Sequence, residues 1–429
     1  MQAKRYYLNG IDYFQLLIDH HNKKLGGTGH EARLAIYLDG IVDENKILEI
    51  ISENEHCTLL SSLTINKTRG LGYPSAVFSH RHIPVPVSFY KITGTEIPAE
   101  YLNKGVDVYN MPPLHLQVLY LNNNSTCLLF TFHHIVFDFA GVQSFIASLT
   151  GKKYIPVFPP KIKNVNITLR IQRFFRAVFF TFREANSRMT IPERELPVKK
   201  PLQIIYREIK FSAAETILIA ENYRRVGLQI NKSIFQVACV CLALHSEIFS
   251  KQKNHNFIWI PVPVNVRKKG NEDAILFNGL SFLFYKLDRN SLESMDKTIA
   301  SLLFQMKDQI KKDLPKSFID FADGYWYMPM PFYYPMMNLP SSGKLSSLSF
   351  STLDNTFNGF ENFMGHRVSE IKNYPSNSIA PGFTFLFYEF RGALRLMTSW
   401  VEGQYSPVEQ ENVINKIKEL MLPNKELKG

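Results

Sequence analysis

Cysteine is scarce: Cys57, Cys127, Cys239 and Cys241 are the only four in 429 residues. That is too few to staple a chain of this length, and no metal-type spacing joins them. Long apolar runs are missing too. No stretch approaches 18 uninterrupted apolar residues, and residues 1–7 are polar and basic with no apolar run behind them. Both features argue against a membrane-spanning helix and a secretory leader. No zinc-finger, RNP or other nucleic-acid module occurs, so nucleic acid is not an expected partner. The expectation is a reduced, cytoplasmic protein.

What is present is a globular composition, with 45% hydrophobic and 20% charged residues, and length for two or three domains. The net charge is +11, and much of it is local. Residues 161–200 hold ten Lys and Arg against three Glu, a net of +7. Such a stretch suits nucleic acid, an anionic membrane, a phosphate-bearing cofactor or an acidic protein, and equally a solvated helix face.

Strands and helices alternate along the first half. A strand is predicted at Arg33–Leu38, then a helix capped by Asp43 with Leu48 and Ile51 on one face. From Leu114 to Tyr120 apolar residues alternate with His115 and Gln117, the pattern of a half-buried strand. Thr126–His133 is apolar on both faces, as a central strand is. A short helix from about Gly141 to Leu149 follows. Residues 1–160 form the first lobe, 161–202 a basic connection and 203–429 a second lobe. In the connection, Phe174, Phe175, Val178, Phe179 and Phe182 share one helical side and Arg170, Arg173, Arg176 and Arg183 the other, with Phe180 intruding on the basic side. The segment 169–183 is too short to span a bilayer but long enough to lie on one, as a peripheral membrane contact. In the second lobe, Ser212 and Asn231 cap helices, strands fall at Phe257–Val266, Leu280–Leu287, Leu345–Thr352, Phe383–Phe390 and Ala393–Trp400, and a long helix runs from about Ser291 to Lys312. Phe318–Tyr334, rich in aromatics, Met and Pro, is predicted to be an irregular apolar wall. A final helix covers Ser406–Met421. The fold class is α/β.

One segment carries chemistry: His133-His134-Ile135-Val136-Phe137-Asp138, followed by Phe139-Ala140-Gly141. A second pair, His20-His21, has no Asp at that spacing. The first pair ends a buried strand and opens a loop, where a polar side chain can face a cavity. No third ligand stands at helical spacing, so no metal is expected.

Strand, His-His-x-x-x-Asp, helix resembles the signature of the chloramphenicol-acetyltransferase-like acyltransferases, among them peptide-synthetase condensation domains, wax-ester-synthase-like enzymes and polyketide-associated acyltransferases. Residues 33–43 resemble the family's opening strand and Gly-x-x-Asp turn. Val262-Pro263-Val264-Asn265-Val266-Arg267 is similar to its Pro-Val-Asn-x-Arg segment, and Asn278-Gly279 sits where a Gly-Asn pair starts the next strand. The resemblance implies two lobes in a V, mixed sheets covered by helices and a tunnel between the lobes.

It also implies roles. His134 is the general base, a task that an imidazole with a pKa near 6.5 suits. His133 supports the loop. Asp138 is structural and pairs with Arg267. Two departures stand out. The family's glycine after the Asp is replaced by Phe139, with the glycine at Gly141, and its Ser-Asn-x-x-Gly or Asp-Phe-Gly-Trp-Gly element has no recognisable counterpart. Ser351 and Thr352 occupy the expected place and, with Phe139 and Asn278, are the tunnel candidates. The implied donor is acyl-coenzyme A or a phosphopantetheinyl acyl-carrier protein, with no bound cofactor and with Lys268 and Lys269 as phosphate contacts. The implied acceptor is a hydroxyl on an apolar, aromatic or lipid molecule. Amide-forming condensation, and a non-catalytic module that docks a carrier protein or lipid, are the two other readings; Phe139 favours the last.

Overall fold

A computed structural model describes residues 4–66, 75–78, 82–151, 166–186, 188–228, 231–252, 256–267, 276, 278–325, 328–339, 341, 343–353, 357 and 359–422. Lys268 and Lys269 lie outside the described residues.

The first lobe is built on a six-stranded sheet in the order Asn362–Phe363, His366–Tyr374, Glu31–Asp39, Ser125–His133, Leu114–Leu121, Val87–Lys91. The motif strand Ser125–His133 is central and buried at every position, as its two-sided apolar pattern requires. Its neighbour Leu114–Leu121 is also buried nearly throughout, which corrects the half-buried expectation. Both sheet faces are covered. Leu116, Val118, Leu128 and Phe130 belong to one core, and Leu119, Leu121, Cys127 and Leu129 to another. His115 and Gln117 are therefore interior, and His115 reaches the Ser88 hydroxyl at 3.2 Å.

The second lobe has a four-stranded sheet ordered Ser349–Thr352, Phe383–Phe390, Ala393–Val401, Ile204–Lys210, and a hairpin of Phe257–Asn265 with Leu280–Asp288. Arg391 and Gly392, with φ of 50° and 72°, form the two-residue turn that right-twisted strands favour. The apolar helix Lys232–Glu247 fills the core of this lobe and buries Cys239 and Cys241.

The lobes are not consecutive halves of the chain. His366–Tyr374 pairs antiparallel with Glu31–Asp39, so a strand from the second half completes the first sheet. The long helix begins at Met295, after a short 3-10 turn, and ends at Lys311. The expected irregular wall is helical instead: Leu314–Tyr325 and Met330–Asn338. Pro331 sits in the first turn of the second helix, where no amide hydrogen is needed, while Pro335 lies inside it and removes one internal hydrogen bond without ending the helix. In the Glu44–Glu53 helix the buried pair is Ile47 and Ile51, while Leu48 is exposed.

The basic connection is also a helix, Ile167–Glu184, and its orientation is the reverse of what amphipathicity suggests. Arg170 and Arg173 face inward, to Asp320 and Asp323 and to Asp313, while Arg176, Arg183, Phe175, Phe179 and Phe182 are exposed. Phe180, the residue that breaks the basic side, packs on Trp259, Phe284 and Phe318.

Candidate active site

His134 is the first residue beyond the motif strand. Its Nδ1 lies 2.9 Å from the Phe137 carbonyl oxygen. A carbonyl only accepts, so Nδ1 carries the hydrogen and Nε2 is left as the basic nitrogen. The backbone is held on both sides: His134 N donates to the His30 carbonyl at 3.1 Å, and the His134 carbonyl accepts from Asn278 Nδ2 at 2.7 Å. Burial lowers the His134 pKa, against the opposing pull of the Phe137 carbonyl.

His133 is fully buried and points into the lobe. It donates from Nε2 to Asp19 Oδ1 at 3.1 Å and accepts from Ile135 N at 3.1 Å. Burial opposes the charge on Asp19, but His133 and Lys23 together hold its carboxyl down at about 2. Strand register sets Glu31 opposite His133, and ligand atoms of Asp19, Glu31 and His133 lie within 4.8 Å of one another. Each already has protein partners, since Asp19 also accepts from His30 N and Glu31 accepts from Val106 N. The trio reads as a hydrogen-bonded prop under the loop, not as a metal shell. His30 stands beside the site, its ring centroid 4.8 Å from that of His134 and its Nε2 bonded to Gln15 Oε1 at 2.9 Å.

Asp138 caps the helix Phe139–Ser148 by accepting from Gly141 N at 2.9 Å. The same carboxylate takes Gly279 N at 2.8 Å and pairs bidentately with Arg267, whose side chain is 1% exposed. A second carboxylate works in parallel. Asp12 Oδ1 accepts from Asn278 N at 3.1 Å and from Asn278 Nδ2 at 2.9 Å. Burial raises the Asp12 pKa to about 7, although bonds from Asn278 and Asn9 favour its charge. Two first-lobe carboxylates thus grip the end of one second-lobe hairpin, and Asn278 joins that grip to the His134 carbonyl.

No protein-family model matches the sequence, and no curated protein matches it. Solved structures do. The TRI3 trichothecene 15-O-acetyltransferase of Fusarium sporotrichioides gives a TM-score of 0.70 at 14% identity, over 98% of this chain and 95% of that one. The first condensation domain of the CDA synthetase gives 0.67 at 12% identity, over 97% and 96%. The chain has the condensation-domain fold. A variant of the starter condensation domain of rhizomide synthetase, solved with C8-CoA and Leu-SNAC, gives 0.66 at 11% identity, over 97% and 94%. This fold is two-lobed and mixed α/β, as the motif resemblance implied.

The structure gathers His133, His134, Asp138, Gly141, Arg267 and Asn278 into one cluster. Asn278 differs from expectation: it is buried and braces the His134 backbone, where a tunnel-lining residue was anticipated. Phe139 opens the helix after the motif and meets Phe357 edge-on at 6.2 Å. Ser351 and Thr352 are half-buried on an edge strand of the second sheet. Neither makes a hydrogen bond to the His134 cluster among the described residues.

Sequence reading missed Asp12, Gln15 and Asp19. With Asn22 they occupy positions 12, 15, 19 and 22 of the helix Gly10–Lys24, all buried. That spacing is a polar stripe on one helical face, and it was the available signal.

Proposed function

We propose that the protein is an acyltransferase that moves an acyl group from a thioester to a hydroxyl, with His134 as general base. The observation that supports it most is the His134 tautomer: the Phe137 carbonyl holds the proton on Nδ1, which leaves Nε2 free to act as a base. Nε2 takes the hydroxyl proton as the oxygen attacks the thioester carbonyl carbon. When the carbon–sulfur bond breaks, the same nitrogen returns the proton to the departing thiolate, so no proton is gained or lost. The depressed His134 pKa keeps the ring neutral at neutral pH, as a base requires.

The shared fold supports a thioester donor, coenzyme A or carrier-bound, since the rhizomide synthetase domain was solved with C8-CoA and Leu-SNAC. An apolar or aromatic acceptor is in keeping with the aromatic wall in which Tyr13, next to Asp12, meets Tyr333, and Tyr333 stacks on Tyr325. A cytoplasmic, reducing setting goes with this reading, and the four cysteines are buried free thiols.

The test is turnover of acyl-coenzyme A and acyl-carrier donors with a panel of lipid alcohols, phenols and amines, read by mass spectrometry. His134→Ala is expected to lower product formation about a hundredfold or more. The wild-type rate should fall on acidification with a midpoint below the ordinary imidazole value of about 6.5. Equal rates in both proteins would remove His134 from the mechanism. An amide product would replace the hydroxyl acceptor by an amine. Donor binding without transfer would make the chain a binding module.

A further inference from the structure

The helix Ile167–Glu184 turns its apolar side to solvent. Its polar side is anchored by Arg170 to Asp320 at 3.1 Å and to Asp323 at 2.9 Å, and by Arg173 to Asp313 at 2.6 Å. Arg176 donates to the Lys312 carbonyl at 2.6 Å. Ala177 is the buried midpoint of the inner face. Opposite it, Ile167 is 74% exposed, Ile171 51%, Phe175 51%, Phe179 70% and Phe182 48%. At 100° per residue these five fall within an arc of about 120°. Arg176 and Arg183 border the arc beside Phe179, both exposed. Arg176 keeps one guanidinium nitrogen on the Lys312 carbonyl and Arg183 its Nε on Glu184, which leaves each further N–H donors toward solvent.

A helix on a water-soluble surface normally does the opposite, burying its apolar stripe and wetting its charges. Here ion pairs to aspartates on a neighbouring helix fix the inverted orientation, so the apolar face is a built feature. It also extends beyond one helix. Phe174 packs directly on Gly324, where a Cβ would collide with its ring. Gly324 in turn walls an apolar groove of about 550 Å³ with Met328, Phe332 and Met336. Phe332 and Leu339 add further exposed apolar surface, at 65% and 67%. Behind the stripe, ring contacts run from Phe174 to Tyr325 at 6.0 Å, to Tyr333 at 5.0 Å and to Tyr13 at 5.1 Å. Tyr13 adjoins Asp12, which holds Asn278 against His134. The exposed face and the candidate site therefore share one aromatic wall.

We propose that this face docks on an anionic lipid bilayer, with the Ile and Phe stripe at the acyl boundary and Arg176 and Arg183 at the headgroup phosphates. The charge favours this occupant: the chain carries a net of +11, and with Arg170 and Arg173 neutralised by Asp313, Asp320 and Asp323, Arg176 and Arg183 remain as the exposed arginines beside the stripe. A large apolar stripe with cationic flanks is the pattern of helices that lie in the membrane interface. A second copy of the chain would bring a like charge of the same size against the same face. The inference rests on the surface alone, so it stands or falls separately from the acyl-transfer chemistry.

The experiment is flotation of the full chain with phosphatidylcholine vesicles, with and without roughly 30 mol% phosphatidylserine. The wild type should float with the anionic vesicles, less with the neutral ones, and less in high salt. Phe175→Asp with Phe179→Asp should lower bound protein tenfold or more at an unchanged melting temperature; Phe179→Ser alone serves if the double variant is unstable. Arg176→Gln with Arg183→Gln should weaken binding several-fold on anionic vesicles only. A wild type that stays with neither vesicle, or a double variant that floats equally well, overturns the proposal. So does a wild type that is dimeric by light scattering and fails to float while the double variant is monomeric, which would assign the face to a second copy.

Discussion

Asp12 makes stability depend on pH in an unusual sense. The carboxyl is buried and its pKa is raised to about 7 in the folded chain, against the ordinary 3.8. Between those values the folded state holds a proton that the unfolded state has lost, so stability falls as pH rises through the window. At 1.36 kcal/mol per unit, the loss from roughly pH 4 to neutrality is about 4 kcal/mol. Asp12→Asn removes the titration. An amide oxygen can still accept from Asn278, but an amide NH2 turned toward Asn9 N loses the capping bond at 3.1 Å, a cost of about 1 kcal/mol. The variant should therefore be close to the wild type or slightly less stable near pH 5, and more stable by about 2–3 kcal/mol at pH 8. Urea denaturation of both proteins from pH 5 to pH 9 measures the difference directly. A difference that stays constant across that range would refute the argument, because it would mean that Asp12 ionises freely in the fold.

Two further outcomes follow from the same contacts. Arg267→Met leaves the Asp138 carboxylate buried without its bidentate partner and should cost about 3–5 kcal/mol in denaturant unfolding; a loss below about 1 kcal/mol would mean that the pair carries no net stability. Gly10→Ala would push a methyl into the backbone of Ala322 and Asp323, which the Gly10 amide already contacts through Asp323 Oδ1 at 3.0 Å. It should lower stability by about 1–3 kcal/mol, and an unchanged melting temperature would show that the two helices can part.

The site was legible where its residues are close in sequence or are carried by a recognisable segment. His134 and Asp138 come from one loop, and Arg267 and Asn278 from the two sides of one hairpin's loop end. The prop beneath them was not legible. Asp12, Gln15 and Asp19 read as ordinary polar positions of a helix until His30, His133 and Asn278 are brought against them from other elements. Periodicity identified the apolar and basic sides of the helix Ile167–Glu184 but not which side faces in. That choice is set by Asp313, Asp320 and Asp323, about 140–150 residues further along. The Met- and Pro-rich stretch after Phe318 misled for a related reason: tertiary packing overrode weak local helix preference.

The pairing of His366–Tyr374 with Glu31–Asp39 also bears on how the protein is made. The first sheet has its central strand by residue 133, yet the strand that covers its Glu31–Asp39 edge arrives only at residue 374. At ordinary ribosome speeds the interval is about 12–50 s. For that time the nascent chain presents an apolar strand with unpaired amides and carbonyls, Leu34-Ala35-Ile36-Tyr37-Leu38, to any other edge it meets. Final closure of the first sheet is thus a late event in synthesis, and yield in a cell should depend on chaperone supply and growth temperature more steeply than the stability of the finished protein would suggest.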